Sequence, residues 1–368
     1  MSQPAHRMLS RTSAWSARSA CSARSALIRL GAGMLRLLVV LGAVLPPVLA
    51  GAAPIAGQAS ESPGASSAPQ FPPITLVVPF AAQGPTDTVA RALAAALMER
   101  TGYPVVVENR SGAGGTAGAA WVARASPDGL TLLVHHIGMA TAPVLYRTLP
   151  YDPRQDFEPI GRIVDVPMTL VARPGFPALT LADAVRHIRR NQDTLVVAYA
   201  GLGAASHLCG LLLSGALAVD LIQVPYRGTG PALADLQNGQ ADLMCDQTTN
   251  TAEPLRAGRI QGLAVTSPRR LAGLANLPTT AEAGLPGLEL SIWHGLFAPR
   301  GTRREVVGQL ALMLQAALAS PAFVRRMSDL QVIVASQEQA SPAGLKALLA
   351  GEIARWSPIL RKAGQYAD

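Results

Sequence analysis

Residues 74–102, ITLVVPFAAQGPTDTVARALAAALMERTG, decide the fold. Ile74 to Phe80 is a short apolar, β-branched run ending at Pro79-Phe80, the pattern of a strand buried on both faces. The small and turn-forming residues Ala81 to Pro85 cannot extend it. Thr86 reads as an N-cap, after which Val89, Leu93, Ala96 and Leu97 recur at helical spacing. Gly102 stands where a helix C-terminus favours positive φ. A strand, a tight loop and a helix in this order aim the helix N-terminus at the end of a parallel strand. Unpaired N–H groups and the helix dipole gather there, and an anion suits that place. An ordinary α/β connection has the same pattern, so both readings stand at this level.

The unit recurs about 120 residues later. Leu195 to Tyr199 reads as a strand, and AYAGLGAASHLCGLLL carries it through a glycine loop into a helix. Two such units imply two similar α/β lobes, each presenting a helix N-terminus to a shared cleft. Donors would be the backbone N–H groups of Gly84 to Thr86 and of Gly203 to Ala205, with the hydroxyls of Thr86 and Ser206.

Further strands are expected at Val105 to Glu108, Thr131 to His136, Ile160 to Ala172, Leu221 to Pro225, Ala241 to Asp246, Ile260 to Thr266 and Leu288 to Phe297. Helices are expected at Leu181 to Ile188, at Pro231 to Gln237, along the face Val306, Leu310, Met313, Leu314 and Ala317, and at Leu345 to Ile359. Asp246 ends a parallel strand, where ligand crevices lie, or else caps the helix that follows.

Several chemistries are excluded by spacing. The glycines 112, 114 and 115 lack the GxGxxG order of a dinucleotide fold and the GK[ST] of a P-loop; they read as tight packing of loop against helix. His135 and His136 are adjacent on a strand and point to opposite faces, so they do not share a metal. Ser206 and His207 diverge by about 100° on a helix, and no GxSxG elbow exists. No bound cofactor or metal is expected.

VPFAAQGPTDTVAR closely resembles the opening signature of the extracytoplasmic receptors of tripartite tricarboxylate transporters, the Bug-type family. VVVENRSGAGGTAGA, LYRTLPYDPRQDF, AGLGAASHL, VPYRGTGPALADLQNGQADLMCDQ and LPGLELSIWHGLFAPRGT follow in the family order, covering about residues 74–365. The resemblance implies an α/β type II periplasmic-binding-protein fold, two Rossmann-like lobes joined by a two-strand hinge. Lobe 1 would comprise 71–173 plus 295–368 and lobe 2 174–294, with hinges at 170–174 and 291–296. It implies a ligand-binding set of Phe80, Gln83, Gly84, Pro85, Thr86, Asp87, His136, Gly138, Met139, Gly203, Ala204, Ala205, Ser206, His207, Tyr226 and Asp246.

The function implied is capture of a small carboxylate for integral-membrane transporter subunits, with no catalysis; the alternative is a sensor presenting ligand to a kinase. Three positions depart from the family. Met139 and Ala140 stand for Thr and His, and Ala204 for Ser. If all three line the cleft, the ligand is less polar at one end than a tricarboxylate.

Composition agrees with an exported protein. Of the 368 residues, 49% are hydrophobic and 4% aromatic, and the net charge is +8. Six of the 31 basic residues and none of the 23 acids fall in residues 1–50, leaving 25 basic against 23 acidic residues. The basic character belongs to the leader, which argues against nucleic-acid binding. Residues 1–52 read as a signal peptide, with Met34 an alternative start, and 53–72 as a flexible tether; the mature protein is expected in the periplasm. Cys209 and Cys245 are then either a disulfide or two buried thiols. Placement of their elements around neighbouring strands favours the disulfide.

Overall fold

The structure is a computed structural model that describes residues 72–364. The signal peptide and nearly all of the tether lie outside the described residues. The first half holds β1 (Ile74–Val78), α1 (Pro85–Thr101), β2 (Val105–Asn109), α2 (Thr116–Ala123), β3 (Thr131–His136), α3 (Gly138–Leu145) and β4 (Phe157–Ala172). There follow α4 (Leu181–Asn191), β5 (Val196–Tyr199), α5 (Ala205–Leu217), β6 (Ile222–Pro225), α6 (Thr229–Gln237), β7 (Leu243–Gln247), α7 (Thr248–Arg256) and β8 (Gln261–Val265). The chain closes with β9 (Ser291–Pro299), α8 (Arg304–Leu318), α9 (Pro321–Asp329), β10 (Ile333–Val334) and α10 (Pro342–Ala363).

The strands run in the order β2-β1-β3-β9-β4-β7-β5-β6. β2, β1 and β3 are mutually parallel, as are β6, β5 and β7. In each triplet the first strand of the chain lies in the middle. The order reverses at β1 and again at β5, so the loops leaving these strands open at the topological switch points of an open α/β sheet.

β9 pairs antiparallel with β3 and β4 and joins the two triplets. β4 changes partner along its length: Pro167 stands opposite Ser291 of β9, and Met168 opposite Gln247 of β7. This changeover precedes the expected hinge at 170–174.

β1 alternates as a doubly covered strand should. Leu76 and Val78 pack with α1, α8 and α9 on one face, while Val77 joins the core containing Leu133, Phe297 and Trp356 on the other. The last turn of α1 ends at Gly102 with φ 66°, as its sequence requires. The start of α1 differs from the expectation. Gly84 is the N-cap and Pro85 takes the first helical position, where its missing N–H costs nothing. Three helices have no clear period in sequence because proline interrupts or opens them: Pro143 in α3, Pro254 in α7 and Pro321 in α9.

The fold also fixes where α2 sits. A Cβ on Gly118 would lie 2.6 Å from the Arg110 carbonyl oxygen and 2.7 Å from Pro79 Cβ. α2 is therefore pressed against the ends of β1 and β2, which carry the loops that follow. Gly118→Ala is expected to destabilise the protein by about 1–3 kcal/mol, since backbone must shift to admit the methyl group. Gly308→Ala, at an exposed position of α8 with no atom within 4 Å of its Cβ position, should stabilise by about 0.5–1 kcal/mol. Urea unfolding of both variants checks this; equal effects would show that α2 is not held as described.

Candidate functional site

A cavity of about 530 Å³ opens where the C-terminal ends of the two parallel triplets face each other. One wall is formed by Pro79 to Ala81, Gly84 to Thr86, Ser111 to Gly115 and His136. The other is formed by Ala200 to Leu202, Ala204 to Ser206, Tyr226 to Thr229, Asp246 and Gln247. Of the residues expected from sequence, Phe80, Gly84, Pro85, Thr86, His136, Ala204, Ala205, Ser206, Tyr226 and Asp246 lie on it.

Six others do not, and the structure gives each a supporting role. Asp87 is 1% exposed. It accepts from the Gln83 N–H at 2.8 Å, the Arg91 guanidinium at 2.9 Å and the Asn109 amide at 2.9 Å. Burial alone would raise its carboxyl. The Arg91, Gln83 and Asn109 donors outweigh that and hold it below the usual value. Gln83 is exposed, has a φ of 63° and spends its N–H on Asp87. Gly138 donates its N–H to His136 Nδ1 at 2.9 Å, and a Cβ there would strike the His135 ring at 2.7 Å. Gly203 donates to Nδ1 of the buried His207 at 3.3 Å, which fixes the turn beneath Ala204.

Met139 and Ala140 are fully buried in the apolar core because α3 starts at Gly138 and turns both inward. They form no part of the cavity wall, so they give no reason to expect an apolar ligand. Ala204 alone of the three departures faces the cavity.

The partners decide which groups donate. His294 is fully buried, and its Nδ1 lies 3.2 Å from the Ile292 carbonyl oxygen, so Nδ1 carries the proton. Nε2 then accepts from the Thr86 hydroxyl at 3.2 Å. Thr86 Oγ1 therefore faces the cavity as an acceptor, not as the donor expected from sequence. His136 stacks on Phe80 with ring centroids 4.4 Å apart. Its Nδ1 accepts from Gly138, so its proton is on Nε2. Ser206 Oγ accepts from the Ala200 N–H at 2.8 Å, leaving its own hydrogen for the cavity.

The helix starts add backbone donors. Thr88 N–H closes on the Gly84 carbonyl and Leu208 N–H on Ala204, so the N–H groups of Thr86, Ala205 and Ser206 have no intrahelical acceptor. Tyr226 lends its ring, since its hydroxyl donates to Asp235 at 2.8 Å.

Sequence reasoning missed two features. The loop Ser111 to Gly115, read as packing, is cavity wall: its glycines let the chain lie flat on the site. A Cβ on Gly115 would meet the Phe80 ring at 2.8 Å, and one on Gly114 would come within 2.9 Å of the Leu202 carbonyl oxygen from the facing wall. Arg227, exposed at the rim, brings a positive charge; its place between Tyr226 and Gly228 in a family motif was the available signal.

The site's titrations follow from burial. Burial depresses His135 to about 3 and His294 to about 4, and drives His136 well below its ordinary value. Burial pushes Asp246 up to about 6, against the Gln247 N–H and the nearby Thr229 and Asn250 side chains.

Cys209, one turn into α5, is bonded to Cys245, the residue before Asp246, with Cα atoms 6.0 Å apart. The bond ties the Ser206 helix to the Asp246 strand.

A family model described as tripartite tricarboxylate transporter family receptor matches residues 89–365. The structure of the periplasmic binding protein BugD is similar, with 48% identity and a TM-score of 0.77 over 80% of this chain and 99% of that one. MatC from Rhodopseudomonas palustris with bound malate has 42% identity and a TM-score of 0.75, covering 79% of this chain and 100% of that one. Rpa4515 from R. palustris with adipate has 36% identity and a TM-score of 0.75, covering 79% and 97%.

Two outcomes are expected. Stability should fall as pH drops from about 6.5 toward 4. The unfolded histidines bind protons there, whereas His135, His136 and His294 in the folded protein do not, so ionisation favours the unfolded chain. Asp246 acts in the opposite sense, its contribution fading as pH rises from about 4 through 6, and offsets part of the trend. Urea midpoints that stay constant from pH 7 to 4.5 would overturn this. Replacing Cys209 and Cys245 with Ala should cost about 3–4 kcal/mol, the chain-entropy value for a loop of this length. Two free thiols by mass spectrometry in protein from an oxidising compartment would overturn the pairing.

Proposed function

The chain belongs to the tripartite tricarboxylate transporter receptor family of Bug-type periplasmic binding proteins, and we propose that it captures a small carboxylate between its two lobes and delivers it to a membrane transporter. One observation carries the ligand class. The cavity is lined from both sides by helix starts and by Ser206 and His136 hydrogens, with the Arg227 cation at its rim. Charge-assisted hydrogen bonds from such fixed donors suit a carboxylate, and they need no counter-ion in the wall. The malate and adipate held by two relatives support the same class. As in its relatives, the working compartment is the periplasm, and the role is binding without turnover.

The strand pairing supports lobe boundaries at Pro167–Met168 and just ahead of Ser291, slightly earlier than 173/174 and 294/295. Bending at those two crossings would open the cavity mouth while leaving each triplet rigid. Closure over ligand then offers the transporter a shape that the empty receptor lacks.

The test is a thermal-shift screen over di- and tricarboxylates, aromatic acids and acidic amino acids, after carried-over ligand is removed by unfolding and refolding. A true ligand at about 100 times its Kd adds about 2.7 kcal/mol of stability. No shift with any carboxylate would reject the ligand class.

A further inference from the structure

We propose that the ligand carries a hydrogen-bond donor, a hydroxyl or an ammonium, in addition to its carboxylate, and that Asp246 selects for it. The inference rests on the carboxylate reading of the cavity and narrows it.

Asp246 lies next to the end of β7, lines the cavity and is 1% exposed. Its Oδ1 accepts from the Gln247 N–H at 2.8 Å. Its Oδ2 is buried without any protein donor. Thr229 and Asn250 stand close enough to favour its charged form, yet neither reaches Oδ2 with hydrogen-bond geometry, and Asn250 Nδ2 is itself buried without a partner. Gln247 Oε1, beside it on the same wall, also lacks a donor.

Apart from the neutral Thr86 hydroxyl oxygen, the rest of the wall offers hydrogens, from Ser206, from His136 and from the helix starts. At Asp246 it offers an oxygen. The backbone that carries the carboxylate is fixed. Its carbonyl oxygen is held by the Thr169 hydroxyl at 3.2 Å, and its neighbour Cys245 is bonded to Cys209.

A buried acceptor left unpaired is costly, and a ligand carboxylate placed against it would add like-charge repulsion in a site shielded from water. A hydroxyl or ammonium on the ligand supplies the missing hydrogen. The carboxylate then goes to the helix starts and the donor to Asp246, which fixes one orientation.

The test is calorimetry with acids that differ at one carbon only: succinate, malate and aspartate, and the six-carbon set adipate, 2-hydroxyadipate and 2-aminoadipate. In the parent, a donor-bearing acid should bind at least about tenfold more tightly than the plain diacid of its length, the worth of one hydrogen bond to a charged group. Asp246→Leu should bring that ratio within about threefold. Asp246→Asn keeps an acceptor oxygen without the charge. It should preserve much of a hydroxyl preference and remove an ammonium preference, which tells the two donors apart and serves where the Leu variant fails to fold.

Three results overturn the inference while leaving the carboxylate reading intact. The first is plain diacids that bind as tightly as their substituted partners in the parent protein. The second is a ratio that survives Asp246→Leu. The third is binding of plain diacids with uptake of one proton below pH 6, which would make Asp246 itself the donor. Failure of every acid to bind would overturn both readings together.

Discussion

The antiparallel pairing of β4 with β9 is the constraint on which the rest depends. β4 is sixteen residues long and serves two sheets in turn, first beside β9 and then beside β7. A single strand shared in this way fixes the direction of both parallel triplets. Their carboxyl ends, and the helix starts that follow β1 and β5, are thereby brought to one cavity. Neither triplet alone would make a site: a helix start at the edge of one sheet faces water, and its dipole is screened within a turn. Opposed across a cavity, the same N–H groups are partly withdrawn from solvent and act on one guest.

The polarity of the cavity is set one layer behind it. His135, His136 and His294 are buried and held neutral, and their tautomers are dictated by backbone groups at His136, Gly138 and Ile292 respectively. That arrangement turns His136 into a donor and Thr86 into an acceptor. A charged imidazolium would bind an anion more strongly, but it would also hold it more firmly. Neutral donors suit the reversible binding proposed for this cavity. The same economy appears at Asp87, whose charge is absorbed by Arg91, Gln83 and Asn109 before it can repel a ligand.

Much of this was legible in the chain. The strand, loop and helix of residues 74–102, the second unit near residue 195 and the motif order pointed to the fold because they are local and periodic. Orientation was not legible. Met139 and Ala140 sit in a family motif beside His136, yet α3 begins at Gly138 and sends both into the core, which no spacing rule would reveal through Pro143. Thr86 looked like a donor because its partner, His294, is 208 residues away. The loop Ser111 to Gly115 looked like packing because its glycines serve two ends. They let it lie close to Phe80 and His135, and they place its backbone at the mouth against Leu202.

The two walls are stiffened by different means, and this bears on where motion can occur. On the first, Asp87 links the loop after β1 to α1 and, through Asn109, to the end of β2. On the second, the Cys209–Cys245 bond links α5 to β7, and Thr169 ties β7 back to β4. Each wall is thus braced to its own triplet before any ligand arrives, so binding need not spend free energy on ordering it. What joins the two walls is the pair of strand crossings at Pro167–Met168 and Ser291, where the Thr266 N–H donates to the Met168 carbonyl at 2.9 Å and the Thr266 carbonyl accepts from the Leu290 N–H at 3.0 Å, and the glycine contact at the mouth. On the proposed reading, bending confined to two backbone crossings between rigid walls acts as a hinge rather than a general loosening, and a hinge would convert occupancy of a small cavity into a change of shape large enough for another protein to read.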